Sequence, residues 1–259
     1  FKYLIQKIIK ESHKTIVLSE DLKKEILNNY CFKKEIEVIH NWAIEDIPYI
    51  NKRDNPFIKK LDIENKFIIQ YSGNFGLLHD LKTILEAARY TSDADIVFLF
   101  IGDGALNKKL REMKKSYELQ NIEFLSYQPF KDLPHSLTSA DVALVSTSKK
   151  ATFLVAPSKL YGHLASGTPI ALISSINSYL KPIIEENNCG KWFNNGDFES
   201  LSKWIINLKN NDDLRKKISH SMREELYSKN NFILSSEAWA KSFKDEENLY
   251  SLLNLFNYE

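Results

Sequence analysis

The chain has 259 residues, 43% of them hydrophobic, with a formal net charge of +1. That is room for one large α/β domain plus part of another, around a substantial core. A near-zero charge argues against a general nucleic-acid binder, and no run approaches the ~20 apolar residues of a membrane span. Residues 1–10 mix lysines into an apolar pattern with no cleavage site after them, which argues against a signal peptide. A chain that opens on Phe1 reads as a piece of something longer. Its two cysteines, Cys31 and Cys189, lie far apart without a partner motif, the usage of thiols in a reducing compartment.

In chain order, residues 15–18 and 36–39 read as short strands around a helix over 19–29, with Ser19 as its N-cap. Residues 43–66 are polar, contain Pro48 and Pro56, and read as a linker. From residue 67 strand and helix patterns alternate. The apolar run 67–71 ends at Ser72-Gly73-Asn74-Phe75-Gly76, after which Leu81, Ile84, Leu85 and Ala88 repeat at helical spacing. The unbroken run Ile96–Ile101 marks a strand buried on both faces, turned by Gly102-Asp103-Gly104. Leu106, Leu110, Met113 and Tyr117 mark the next helix, 122–125 a third strand, 133–138 a short helix and 142–145 a fourth strand. After residue 176 the pattern is mostly helical, with helices over 201–208, 212–227 and 234–256. This rhythm predicts a doubly wound parallel sheet, whose ligands lie at the carboxyl ends of the strands.

The most informative stretch is Ala156-Pro157-Ser158-Lys159-Leu160-Tyr161-Gly162-His163-Leu164-Ala165-Ser166-Gly167-Thr168-Pro169-Ile170. Pro157 suits a helix start, Gly167 a left-handed helix end, and Pro169 blocks continuation before a strand over 170–173. Ser158 and Lys159 then fall in the first turn, where unpaired N–H groups and the dipole receive an anion. An ordinary capped helix fits the same residues. Asp93 and Asp95 form an Asp-x-Asp pattern, but at the amino end of a strand, away from the ligand edge, so no metal site is expected there.

The order of these pieces resembles the carboxyl-terminal half of bacterial group 1 glycosyltransferases (glycosyltransferase family 4, GT-B fold). Residues 16–20 with 36–42 look like the exit from the amino-terminal domain. Residues 71–76 with His79-Asp80-Leu81-Lys82, then Phe100-Ile101-Gly102-Asp103-Gly104, look like the first two loops of the donor domain. The Pro157-Ser158-Lys159 segment resembles the subgroup transferring N-acetylated amino sugars in surface polysaccharide synthesis. Cys189-Gly190-Lys191 and Asn195-Gly196-Asp197 match its later turns.

The resemblance implies a Rossmann-like donor domain over 51–232, preceded at 1–50 by the end of an acceptor domain and hinge. A helix over 233–259 then packs back toward the amino-terminal segment. It implies a nucleotide-diphospho-sugar substrate, UDP-linked, with no cofactor or metal, and a saccharide or lipid-linked saccharide acceptor at the inner face of the cytoplasmic membrane. Where the family carries an arginine and a lysine near the diphosphate, this chain has Asn74 and His79, so Lys159 is expected to restore the charge and act as the catalytic cation. Leu154 and Gly162 stand where the family has two glutamates.

Gly73 and Gly76 either admit the diphosphate or simply turn the chain, and Asn74 and Phe75 lie between them. Gly102, Asp103 and Gly104 shape the nucleotide pocket or, in the case of Asp103, cap the next helix. Tyr127 and Gln128 present backbone to the base, while Pro157, Ser158, Tyr161 and Gly162 surround Lys159. The general base belongs to the missing amino-terminal half, so this chain alone is expected to bind donor and transfer little. One alternative is a binding module needing a separate acceptor subunit, with Trp239, Phe243, Tyr250 and Phe256 covering part of the exposed face. Another is a GT-B nucleotide-sugar epimerase.

Overall fold

The computed structural model describes residues 2–30, 35–42, 47–48, 50–91, 93–152, 155–229 and 232–242. Cys31, Leu154, Phe243, Tyr250 and Phe256 lie outside the described residues. The chain opens with α1 (Lys2–Glu11), β1 (Thr15–Val17), α2 (Glu20–Tyr30) and β2 (Ile36–Val38), and β1 pairs with β2 in parallel. Ser19 Oγ accepts from Leu22 N–H at 3.1 Å and caps α2.

The central body follows as α3 (Pro56–Lys59), β3 (Phe67–Ser72), α4 (Leu81–Tyr90), β4 (Ile96–Ile101), α5 (Asn107–Ser116) and β5 (Ile122–Leu125). It continues as α6 (Leu133–Leu137), β6 (Val142–Ser146), α7 (Lys159–Ser166), β7 (Ile170–Ser174), α8 (Leu180–Glu186) and β8 (Gly190–Asn194). Helices α9 (Phe198–Lys209), α10 (Asp212–Lys229) and α11 (Phe232–Ser242) close the chain. None of the described helices is long and apolar enough to cross a membrane.

Strands β3 to β8 form one all-parallel sheet in the order β5-β4-β3-β6-β7-β8. The alternation of side chains explains the unbroken apolar run of β4. Ile96, Phe98 and Phe100 enter the large core cluster on one face. Val97, Leu99 and Ile101 join Ile58, Ile63 and Ile68 on the other. Helix α4 packs on α9, and α7 packs between α6 and α10.

Two expectations about organisation are corrected. The stretch read as a linker is, from Asn51 on, part of the body. Ile58 is 0% exposed. Lys52 Nζ donates to Lys66 O and pairs with Asp141, whose carboxylate also accepts from Ile68 N–H. Asn55 is buried, donating to His135 O at 2.8 Å and accepting from Phe57 N–H at 3.0 Å. Pro56 opens α3 rather than spacing domains. The second correction is β8, an edge strand within the region read as helical. Of its five residues only Phe193 is buried, so neither an apolar run nor a clean alternation announces it. Gly190 begins it at φ +152°, where a Cβ would collide with the Ile170 carbonyl.

Helix α11 meets the opening segment through polar contacts. Ser242 Oγ donates to Glu37 Oε2 at 2.8 Å, Lys14 Nζ donates to Ser242 O at 2.8 Å, and Ser235 Oγ donates to His40 O at 3.1 Å. Lys14 and Ser242 together hold the Glu37 carboxyl below its ordinary range.

Asn55→Ala removes both of these side-chain bonds, to His135 O and from Phe57 N–H, from a buried position. It should lower stability by about 1–3 kcal/mol in urea denaturation. An unchanged midpoint would show that the Asn55 bonds do not help to hold this stretch on the body.

Candidate functional site

Strand β3 lies at the centre of the sheet; successive strands run outward from it to β4 and β5, then return to its other side as β6. The loops leaving β3 and β6 therefore part, and a crevice opens between them at the carboxyl edge. It encloses about 560 Å³. Polar bonds hold the two loops in place. His79 Nδ1–H donates to Ser146 O at 2.6 Å, Asp80 N–H to Ser146 Oγ at 2.9 Å, and Ser148 N–H to Leu78 O at 2.8 Å. Asn195 Nδ2 reaches across to Asp80 Oδ2 at 2.9 Å and Thr147 O at 2.8 Å. Asp80 in turn caps α4 through Thr83 N–H.

The glycines serve close approach between protein segments. Gly73 has φ +132°, and a Cβ on it would lie 3.1 Å from Lys159 Nζ. Gly102, at φ +137°, faces the Gly73 carbonyl, and a Cβ there would overlap it. Gly104 likewise faces Asn74 and Phe75. The second loop therefore supports the first from behind.

Helix α7 begins at Lys159, two residues later than Pro157 alone indicates, with Ser158 at the cap position. Leu160 and Tyr161 N–H close back on Pro157 O and Ser158 O. The N–H groups of Ser158 and Lys159 have no acceptor among the described residues. Gly167 ends the helix at φ +69° as its sequence position predicts. This opening turn faces the crevice.

Lys159 is the centre of the site. Its stem is partly accessible, but Nζ is buried and has no hydrogen-bond partner among the described residues. The ammonium lies 3.8 Å from the centroid of the Tyr71 ring, whose π face is a weak substitute for an anion. Burial pulls its pKa from 10.5 down to about 7. No aspartate or glutamate lines the crevice among the described residues, and Lys159 is the lone formal charge there.

Of the sequence-predicted residues, Gly73, Asn74, His79, Pro157, Ser158, Lys159, Tyr161 and Gly162 come together on this crevice. Burial lowers the pKa of His79, with Lys159's charge adding to the effect against the Ser146 bond, so its ring is neutral at pH 7. Burial pushes the Tyr161 phenol up to about 12. Gly162 packs against Leu137.

Seven residues stand outside the lining. Phe75 is 0% exposed and packs on Tyr71, Phe100 and Phe124, so its side chain is core. Gly76 lies beside the Asn74 amide, and Gly102 and Gly104 support the first loop. Asp103 does not cap α5, whose cap position is Leu106. Its carboxylate accepts from Asn107 Nδ2 at 2.6 Å and Gly104 N–H at 2.7 Å, and these bonds lower its pKa. Tyr127 is exposed and donates to Asp103 O at 3.3 Å, while Gln128 donates to Ser126 O. Asp93 and Asp95 lie before β4 and pair with Lys209 and Lys66. Sequence reasoning missed Tyr71 and Trp42 as site residues. Tyr71 is hidden in an apolar run, and only the strand register aims it at Lys159.

The description "Glycosyl transferases group 1" matches residues 53–225. The chain belongs to the group 1 glycosyltransferase family. It is 26% identical over 184 residues to "Probable glycosyltransferase WbjE" of Pseudomonas aeruginosa, covering 71% of this chain and 46% of that protein. It is 37% identical over 153 residues to WcaI of Escherichia coli, whose name places it with the glycosyl transferases of colanic acid biosynthesis. That match covers 58% of this chain and 38% of WcaI. The chain thus spans about half the length of the curated relatives it matches. Among solved structures, Anabaena HepE in complex with UDP-glucose superposes with a TM-score of 0.82 at 12% identity, over 95% of this chain and 67% of that one. Staphylococcus aureus TarM in a complex containing UDP superposes at 0.73 with 20% identity, over 99% of this chain and 46% of that one. These likenesses confirm the doubly wound GT-B type of fold.

A lysine whose proton is held less tightly folded than unfolded ties stability to pH. Between pH 7 and about 10 the unfolded chain binds more protons at this site, so stability from Lys159 rises with pH. The melting temperature of the wild type should gain on that of Lys159→Met across this window. A constant difference from pH 7 to 10 would show the ammonium to be solvated.

Proposed function

We propose that this chain binds a nucleotide-diphospho-sugar in the β3/β6 crevice, as the donor half of a glycosyltransferase of surface polysaccharide synthesis. The observation that carries the proposal is the buried ammonium of Lys159, which among the described residues has no hydrogen-bond partner and no carboxylate beside it in the crevice. A diphosphate supplies the missing counter-charge. The Ser158 and Lys159 N–H groups add two donors at the positive end of α7. The names of the matched relatives and the UDP and UDP-glucose of the neighbouring structures support this class of ligand and favour a UDP-linked donor.

In the reaction so proposed, the bond between the sugar's anomeric carbon and the diphosphate oxygen breaks. The electron pair leaves with the nucleoside diphosphate, and the acceptor hydroxyl bonds to the carbon and gives up its proton. Lys159 stabilises charge that grows on the leaving oxygen, a contact stronger in the transition state than before it. Asn74, on the β3 loop, is placed to donate to a phosphate or to an acceptor hydroxyl. The base that takes the acceptor's proton is assigned to residues outside these 259, in an acceptor-binding half or subunit, and residues 51–232 are the donor domain.

Isothermal calorimetry against UDP-, GDP- and dTDP-sugars tests the ligand class. Lys159→Ala should weaken sugar-nucleotide binding roughly 10- to 100-fold, the loss of a charge-assisted contact, and leave the bare nucleoside nearly unaffected. Equal loss for both would remove Lys159 from the diphosphate. With radiolabelled donor and candidate acceptors the chain alone should show binding and little transfer; robust turnover would place the base within it.

A further inference from the structure

His163 lies one helical turn beyond Lys159 on α7, and it borders the same crevice. It is 0% exposed, and neither Nδ1 nor Nε2 has a hydrogen-bond partner among the described residues. Its backbone carbonyl is engaged, accepting from Ser166 Oγ and Thr168 N–H, but its ring is not. An imidazole buried in this way costs stability unless something completes it.

The state of the ring narrows what that something is. Burial pushes its pKa down to about 3, and the Lys159 charge adds to this, so the ring is neutral at pH 7. A neutral imidazole carries one N–H donor and one bare nitrogen acceptor. A phosphate oxygen only accepts, and satisfies the ring in one tautomer alone. A hydroxyl both donates and accepts, and satisfies whichever nitrogen meets it. Four residues of α-helix advance about 6 Å, comparable to the spacing between a diphosphate and the ring hydroxyls of an attached hexose.

We propose that His163 binds a hydroxyl of the donor's sugar, one turn along α7 from the diphosphate held at Lys159, and so helps to select the sugar. This assignment rests on the donor reading of the crevice. It divides the helix into a phosphate-holding first turn and a sugar-reading second turn. A purely structural histidine makes the opposite prediction, since Leu in its place would relieve two unpaired nitrogens and leave binding alone.

The test uses the full chain, calorimetry, and three probes: UDP, UDP-glucose and UDP-N-acetylglucosamine. His163→Leu should weaken the better-bound UDP-sugar about 5- to 10-fold, the loss of one hydrogen bond, while UDP stays within about twofold. A measurement on the wild type needs no core substitution. The His163 ring resonances, assigned by comparison with His163→Gln, should shift when the UDP-sugar is added and much less with UDP. A folded His163→Leu protein that binds all three probes as the wild type does, or ring resonances unmoved by the UDP-sugar, would overturn the assignment and leave the donor reading standing. A wild type that binds none of the three probes, and no GDP- or dTDP-sugar either, would sink the donor reading, and this assignment with it.

Discussion

An ammonium shut away from water, with no carboxylate beside it among the described residues, is the constraint around which the carboxyl edge of this sheet is arranged. Burying such a charge is costly, and the Tyr71 ring offsets only part of that cost. Proteins seldom keep such groups unless a ligand completes them. The neighbourhood shows that the position is built. Gly73 has no side chain where one would press on Nζ, Gly102 lets the second loop close up behind Gly73, and Asn195 ties the β6 and β8 loops to the cap of α4. Four strand ends are thereby committed to holding one lysine head.

This explains why the family's motifs occur where they do. The second glycine loop reads as a pocket wall, yet its glycines face protein. Its task is mechanical: it fixes the backbone at Gly73, and through it the space above Lys159. The Asn195-Gly196-Asp197 turn has a similar role from the other side, where Gly196 N–H donates to Thr83 Oγ1 at 2.9 Å. Residues several strands away therefore act on the crevice without lining it.

Much of the fold was legible in the chain. Ile96–Ile101 announced a doubly buried strand because both of its faces are covered, and Gly167 with Pro169 announced a helix end followed by a strand. What escaped was decided by tertiary contact. Strand β8 gains its identity from pairing with β7 and from the close approach at Gly190, neither of which leaves a periodic signal. The polar stretch before β3 looks like a linker because its burial rests on two apolar side chains, Ile58 and Ile63, and on the internal bonds of Asn55. Within the site, Lys159 was legible from the helix-start pattern. Tyr71 and the buried state of His163 were not, because a sequence shows neither the register that sets Tyr71 against Lys159 nor the burial of the His163 ring.

The chemistry of the crevice is one-sided, and that bears on what a sugar-transfer reaction would need from elsewhere. Breaking a sugar–phosphate bond requires stabilisation of a departing anion, and this site offers a cation and two helix-start N–H groups. Delivering an acceptor hydroxyl requires a group that accepts a proton, and the described lining holds no carboxylate. His79 is neutral, but its Nδ1–H is committed to the Ser146 carbonyl and its ring faces the Lys159 charge, which opposes taking on a second proton. His163 is held neutral more firmly still. A site that combines leaving-group stabilisation with such reluctant proton acceptors is half of a catalytic centre on the donor reading. On that reading the proton acceptor comes from outside this lining, and Trp42 and Asn74 are exposed at the mouth of the crevice.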